Sequence, residues 1–571
     1  MENPINNPPA YDTFFDDPNT VDLIAAYSEI NEETLQELPY VRPGRVLIGG
    51  FSSMYVDKNH IDDVLSSLGT RSIDVRPLVL APLGQADLYE AGILQAQNQP
   101  YLDLRGRGVL LGFVDTGIDY MNAAFQYEDK RSKIQYLWDQ SIPGNAPEGY
   151  YFGSQYTNEQ LNEAIVSDNP YSIVPSRDTV GHGTFLASVA GGRGPGEYIG
   201  AAPDADMIIV KLRKANQYHL SAAHTPPDVE SAFSSADLMV GIEYILDRAN
   251  RLDRPVAICI GLGTNFGGHD GFSVLEEYLS GLANLAGCVI CVAAGNEVLA
   301  RHHTQGQVEK SGDTKNIEIR AANNGSDINV QIWTGQADLF SAAVTSPAGE
   351  TVGRIPAKTG VRVESGLALE QSRVSVSYWF PLFGSGDQLT NITIYNPTPG
   401  LWTITLHGDS VLNGTYHAWL PITGLVDPQI AFLSPSPDVT ITVPATSLGI
   451  ITVGAYATDT RSLYGSSSWG PTRLPLLSPD ITAPGVNVQG VFPGGYGSMS
   501  GTSVAAAIAT GASAQLLQWG VVENNEPSLS SYLARAYFIR GCERDAGISY
   551  PNEQWGYGRL NVYNVFLQIR G

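Results

Sequence analysis

The sequence predicts an α/β protein: a parallel sheet flanked by helices, preceded by a small α+β unit and interrupted by an inserted antiparallel β-sandwich or jelly roll. Three observations predict it. From Gly106 onward, short runs apolar at every residue alternate with helical stretches, as expected of strands covered on both faces. From about His303 to Val443 the pattern becomes apolar–polar alternation separated by Gly, Pro and Asn turns, with no convincing helix. Ahead of Gly106, a strand–helix–strand pattern spans about eighty residues with turn signals at both ends. The expected divisions are 1–83, 84–302, 303–443 and 444–571. A length of 571 residues suits three to four such units at roughly 100–200 residues each.

In chain order, the first forty residues hold nine acids and no base, Arg42 being the first positive charge. The run from Gly44 to Phe51 reads as a strand, Asp57 to Leu68 as a helix and Ser72 to Leu80 as a second strand. The α/β part then offers strands at Val109–Val114, Ala205–Val210, Val256–Ile260 and Cys288–Ala294. Its helices are expected near Gly183–Ala190, Asp228–Asn250 and Gly271–Ala286. Alternating strands follow at 316–320, 328–332, 361–364, 374–378, 389–394 and 403–407, and a helix returns at Gly501–Gln518.

Composition excludes several classes. The chain has 33 basic against 58 acidic residues, a net charge of −25 and a pI near 4.6, so nucleic acid and anionic membrane surfaces are expected to be repelled. No apolar run reaches the roughly 18 residues a membrane span needs. The amino end has neither a basic n-region nor an apolar core, so no signal peptide is expected. These features suggest a soluble chain, either cytoplasmic at first or released by a route the sequence does not encode. The four cysteines make no metal pattern; Cys288 and Cys291 fall in one apolar strand, where an offset of three points them to opposite faces as buried thiols. His219, His224, His269, His302, His303, His407 and His417 show no metal spacing and read as surface or loop residues.

Three segments place a reactive side chain at a glycine-bracketed junction. Asp115 closes the strand Val109–Val114 and is followed by Thr-Gly. His182 stands between glycines at the start of a helix. Ser503 follows Gly-Thr and opens an Ala-rich helix, where backbone N–H groups are free to bind an oxyanion. Acid, imidazole and hydroxyl in the order Asp, His, Ser are the components of a nucleophile–base–orienter set for acyl transfer.

At these residues the sequence resembles the subtilisin-like serine proteases, whose signatures read here as Asp115-Thr-Gly-Ile-Asp, Gly181-His-Gly-Thr and Gly501-Thr-Ser-Val-Ala. Val292-Ala-Ala-Gly-Asn296-Glu matches the family's oxyanion asparagine. Ala507 departs from the pattern, standing where most members have proline. The resemblance covers about 84–298 and 444–571. It implies a catalytic triad of Asp115, His182 and Ser503, and an oxyanion hole of Asn296 with the Ser503 backbone. Gly261, Leu262 and Gly263 would form the edge that pairs with substrate. It also implies a propeptide acting in cis, with its junction near Leu80–Gln85, and a protein or peptide substrate. No cofactor is implied; calcium is common in the family, but no acidic loop here indicates it. The wider layout looks like the clostridial Csp branch, which implies a germination protease activating a cortex-lytic precursor. Two alternatives stay open: a non-catalytic sensor on the same scaffold, and a released protease of broad substrate range. The insert is read either as a brace or as a docking surface.

Overall fold

The computed structural model describes residues 13–17, 19–26, 40–68, 77–82, 90–194, 199–226, 228–322 and 325–569. Its centre is a nine-stranded sheet. In spatial order the strands are Ser462–Leu463, Ile451–Ala457, Cys288–Ala293, Val256–Ile260, Leu110–Asp115, Asp206–Lys211, Ile134–Asp139 and Ser154–Thr157, with Ile481–Pro484 also paired to Ile451–Ala457. All pairings are parallel except those of Ser462–Leu463 and Ser154–Thr157, which are antiparallel.

The continuous apolar runs serve two cores at once. In Val256–Ile260, residues 256, 258 and 260 join one apolar cluster, while 257 and 259 join the other. Cys288 and Cys291 divide the same way; all four cysteines are free and buried, and burial pushes the thiols of Cys288 and Cys291 up to about 12. The helices His182–Gly191 and Thr502–Leu517 cover one face, and Ser235–Arg251 and Val274–Leu282 the other.

Residues 303–432 supply two antiparallel sheets of six and five strands. Their facing side chains, among them Ile319, Val330, Val344, Val376 and Trp402, form a single buried cluster, so the sheets pack as a sandwich. At the amino end, Thr20–Ala26, Phe51–Asp57 and Val41–Leu47 form a three-stranded antiparallel sheet covered by the helix Ile61–Leu68. Val21, Leu23, Met54 and Val56 pack under that helix, whereas Ile24, Leu47, Phe51 and Tyr55 point into the core beside Ser235–Arg251.

Three local expectations are corrected, and a fourth falls largely outside the described residues. The run from Gly44 to Phe51 is not one strand: Gly49 and Gly50 adopt φ of 90° and 83°, turning the chain into a hairpin. The helix expected from Asp228 begins at Ser235, because Phe233–Ser234 pairs as a strand with Val79–Leu80 and Ser234 then caps the helix. The expected strand Ser72–Leu80 lies outside the described residues through position 76; a strand runs over Val79–Pro82. Five of the seven histidines read as surface or loop residues are buried: His219, His269, His302, His303 and His417. Four of them meet partners distant in sequence, such as Asp22 for His219 and the Ile441 carbonyl for His269, while His302 meets Glu297, five positions before it. Among the described residues, no helix is long and apolar enough to cross a membrane.

Candidate active site

Asp115 ends a central strand, at the carboxyl rim where open parallel sheets place their functional groups. His182 is the first residue of its helix and Ser503 the second of another; all three side chains are buried. The imidazole Nδ1 lies 2.8 and 2.9 Å from the two Asp115 carboxylate oxygens. Its Nε2 lies 3.2 Å from Ser503 Oγ. With Nδ1–H donating to the carboxylate, Nε2 is left with a lone pair facing the hydroxyl, the tautomer a general base needs.

The loop before His182 is held by Asp178, which lies four residues ahead of it. Its Oδ1 accepts from the N–H groups of Val180 (3.1 Å) and Gly181 (2.7 Å), and its Oδ2 from Thr184 N–H (3.0 Å) and Oγ1–H (2.6 Å). Thr184 Oγ1 in turn accepts from Asp119 N–H at 2.9 Å, tying the histidine helix to the loop after Asp115.

Asn296 follows the strand Cys288–Ala293. Its Oδ1 accepts from Thr502 N–H at 3.0 Å and from Thr502 Oγ1 at 3.3 Å. The backbone donor settles which end of the amide is oxygen, so Nδ2 points the other way. Ser503 N–H, in the first helical turn, has no intrahelical acceptor. The two donors expected of an oxyanion hole therefore flank the same helix start. Thr502 is the residue that orients Asn296, and its place inside the Gly-Thr-Ser motif was the available signal.

Gly261 lies against the reacting pair. A β-carbon there would sit 2.6 Å from Leu186 Cδ1 and 3.1 Å from both His182 Cε1 and Ser503 Cβ, so its lack of a side chain leaves room for the histidine and serine. Leu262 and Gly263 form a short strand that pairs antiparallel with Pro82 and Ala81. On its other edge the segment 79–80 pairs with Ser234 and Phe233. The carboxyl-terminal tail of the N-terminal unit thus lies as the middle strand of three beside the triad. Half of the expected junction, from Leu83 through Gln85, lies outside the described residues. Among the described residues, no cluster of three or more His, Cys, Asp or Glu side chains could hold a metal ion.

A family model for the subtilases (Peptidase_S8) matches residues 106–411 and 432–558. The chain belongs to the subtilase family. The solved structure of the Clostridium perfringens CspB protease superposes with a TM-score of 0.75 at 30% identity, covering 85% of this chain and 98% of that one. The PII-type proteinase of Lacticaseibacillus paracasei is 23% identical over 495 residues, and the PIII-type proteinase of Lactococcus lactis subsp. cremoris (strain SK11) is 24% identical over 479. Each alignment covers 75% of this chain, but it spans only 23% and 22% of those much longer relatives.

Proposed function

We propose that this subtilase is a serine endopeptidase that first cleaves its own N-terminal tail and then acts in limited proteolysis. The observation that carries the reading is the unbroken hydrogen-bonded chain from Asp115 through His182 to Ser503 Oγ, at 2.8 and 3.2 Å. His182 takes the hydroxyl proton as Oγ attacks a peptide carbonyl, and Asp115 holds the ring and stabilises the imidazolium. Asn296 Nδ2 and Ser503 N–H receive the developing oxyanion; one such donor is worth roughly 2.7–4 kcal/mol. His182 then protonates the leaving amine, and water releases the acyl group by the reverse sequence.

The tail supports self-cleavage. Ala81 and Pro82 stand opposite Gly263 and Leu262. Gly261, the residue that borders Ser503, directly precedes Leu262 of the strand that pairs with this tail. We therefore place the scissile bond at Leu83–Gly84, inside the junction expected from sequence. The likeness to the CspB protease over 98% of its length supports a germination role, with a cortex-lytic precursor as substrate.

A fluorophosphonate probe tests the chemistry: the parent chain is expected to label and Ser503→Ala not to. Equal labelling of both would sink the reading. Finding the protein in dormant spores tests the setting, and its absence there would exclude the germination role.

A further inference from the structure

We propose that the β-sandwich insert builds a distal subsite of the cleft, which takes a large apolar, preferably aromatic, side chain of an extended polypeptide substrate five residues upstream of the residue that donates the cleaved carbonyl. The proposal rests on the peptidase reading above and on the tail's register.

The tail strand shows where an extended chain runs. Leu78 N–H donates to Ser235 Oγ at 2.7 Å and Ser235 N–H donates to the Leu78 carbonyl at 2.8 Å, so the pairing continues upstream of Val79. Side chains alternate along a strand, so Leu78 and Leu80 face the same way. Leu80 is fully buried, in the same apolar cluster as Phe233 and Leu262. Leu78 is only half-buried, and it borders a cavity of about 190 Å³. An apolar cavity of ~150 Å³ suffices to admit benzene.

Much of the far wall of that cavity belongs to the insert. Trp333, Trp379, Phe383 and Leu389 line it together with Phe272 of the catalytic body. The wall is fixed to the cleft rather than merely adjacent to it. Gln331 Oε1 accepts from Gly267 N–H at 3.1 Å and from Trp333 Nε1–H at 3.3 Å. The Arg473 guanidinium binds both Asp270 of the cleft loop and Asp387 of the insert, and its carbon lies 5.3 Å from the Trp333 ring centroid. Leucine underfills this space; an aromatic side chain would bury more area against the same rings.

The test uses the full chain after self-processing and internally quenched peptides based on residues 76–87. A short peptide starts at position 79; long peptides start at 76 and carry Trp, Leu, Ala or Asp in place of Leu78. The Trp peptide is expected to exceed the Ala peptide by about tenfold in kcat/KM, with Asp lowest. Phe383→Ala combined with Trp379→Ala should compress that spread to about twofold, while the short peptide, which reports folding, is cleaved as before. Equal rates for all long peptides, or a spread that survives the double variant, would overturn the subsite and leave the peptidase reading intact. A chain whose Ser503 is unreactive and which cleaves neither long nor short peptides contradicts the peptidase reading instead. Where the tail blocks both peptide sets, self-cleavage answers the same question. Leu78→Asp is expected to slow it about fivefold in the parent pocket and not in the double variant, and equal slowing in both would overturn the proposal.

Discussion

The N-terminal unit and the β-sandwich both border the cleft, but different chemistry holds each. Across the first contact Leu47, Phe51 and Tyr55 enter the apolar core, with the Phe51 and Tyr278 rings 6.2 Å apart, and a buried ionisable pair, Asp22–His219, crosses it at 3.0 Å. Across the second, polar groups interlock at several points. Arg473 joins Asp270 to Asp387, and Glu297 Oε1 accepts from Thr423 N–H at 3.3 Å. His269 stacks on Trp419 at 4.1 Å and contacts the Ile441 carbonyl at 2.6 Å. The insert is also joined to the body by chain at both ends, the N-terminal unit at one. Across the first contact Ile48 N–H also donates to Glu243 Oε2 at 3.2 Å and Asn216 Nδ2–H to the Thr20 carbonyl at 2.6 Å, so what sets it apart is its apolar core and its titratable pair.

Arg473→Ala should break the comparison most severely. It leaves Asp270 and Asp387 buried without their cation, and about 3–5 kcal/mol of stability is expected to be lost in denaturant unfolding, with attachment of the N-terminal unit unchanged. Asn296→Ala should separate chemistry from both contacts: kcat falls about a hundredfold to a thousandfold while the unfolding midpoint stays near the parent's. Gly261→Ala pushes directly on His182 and Ser503, and kcat is expected to fall about tenfold to a hundredfold.

The smallest expected effect is a pH dependence confined to the N-terminal contact. Burial alone would raise the Asp22 carboxyl, but the charge and hydrogen bond of His219 hold it well below the usual range. Burial alone would lower His219, but Asp22 raises it above the ordinary value. Ser234 Oγ, the Tyr55 hydroxyl and the Arg213–Asp237 pair also face this contact. A raised histidine contributes fully below its unfolded value of about 6.5, and its contribution is lost as pH rises through the folded value. The cleaved N-terminal unit should therefore dissociate faster at pH 9 than at pH 6, and His219→Gln should flatten that dependence. Retention by the parent that does not vary with pH would contradict the assignment.

What the sequence disclosed follows the range of the forces involved. The triad motifs were legible because each reactive residue sits in its own local turn chemistry, and the central strands because burial on both faces leaves unbroken apolar runs such as Val256–Ile260. The buried histidines were not legible: His219 meets an aspartate 197 positions away, and a polar residue's exposure depends on that partner. The late start of the helix at Ser235 has the same origin, since Phe233–Ser234 is a strand only because Val79–Leu80 lies beside it. Thr502 lies inside the Gly501-Thr-Ser motif and Asp178 just ahead of Gly181-His-Gly-Thr, yet their roles depend on Asn296 and Thr184 being held at hydrogen-bond distance.

The intact mass of the purified parent chain, set against that of Ser503→Ala, bears most directly on the claim that this serine cuts its own tail. The parent should yield two pieces with a new terminus at Gly84, and the variant a single uncut chain. An uncut parent, or the same cut in both proteins, would contradict the account.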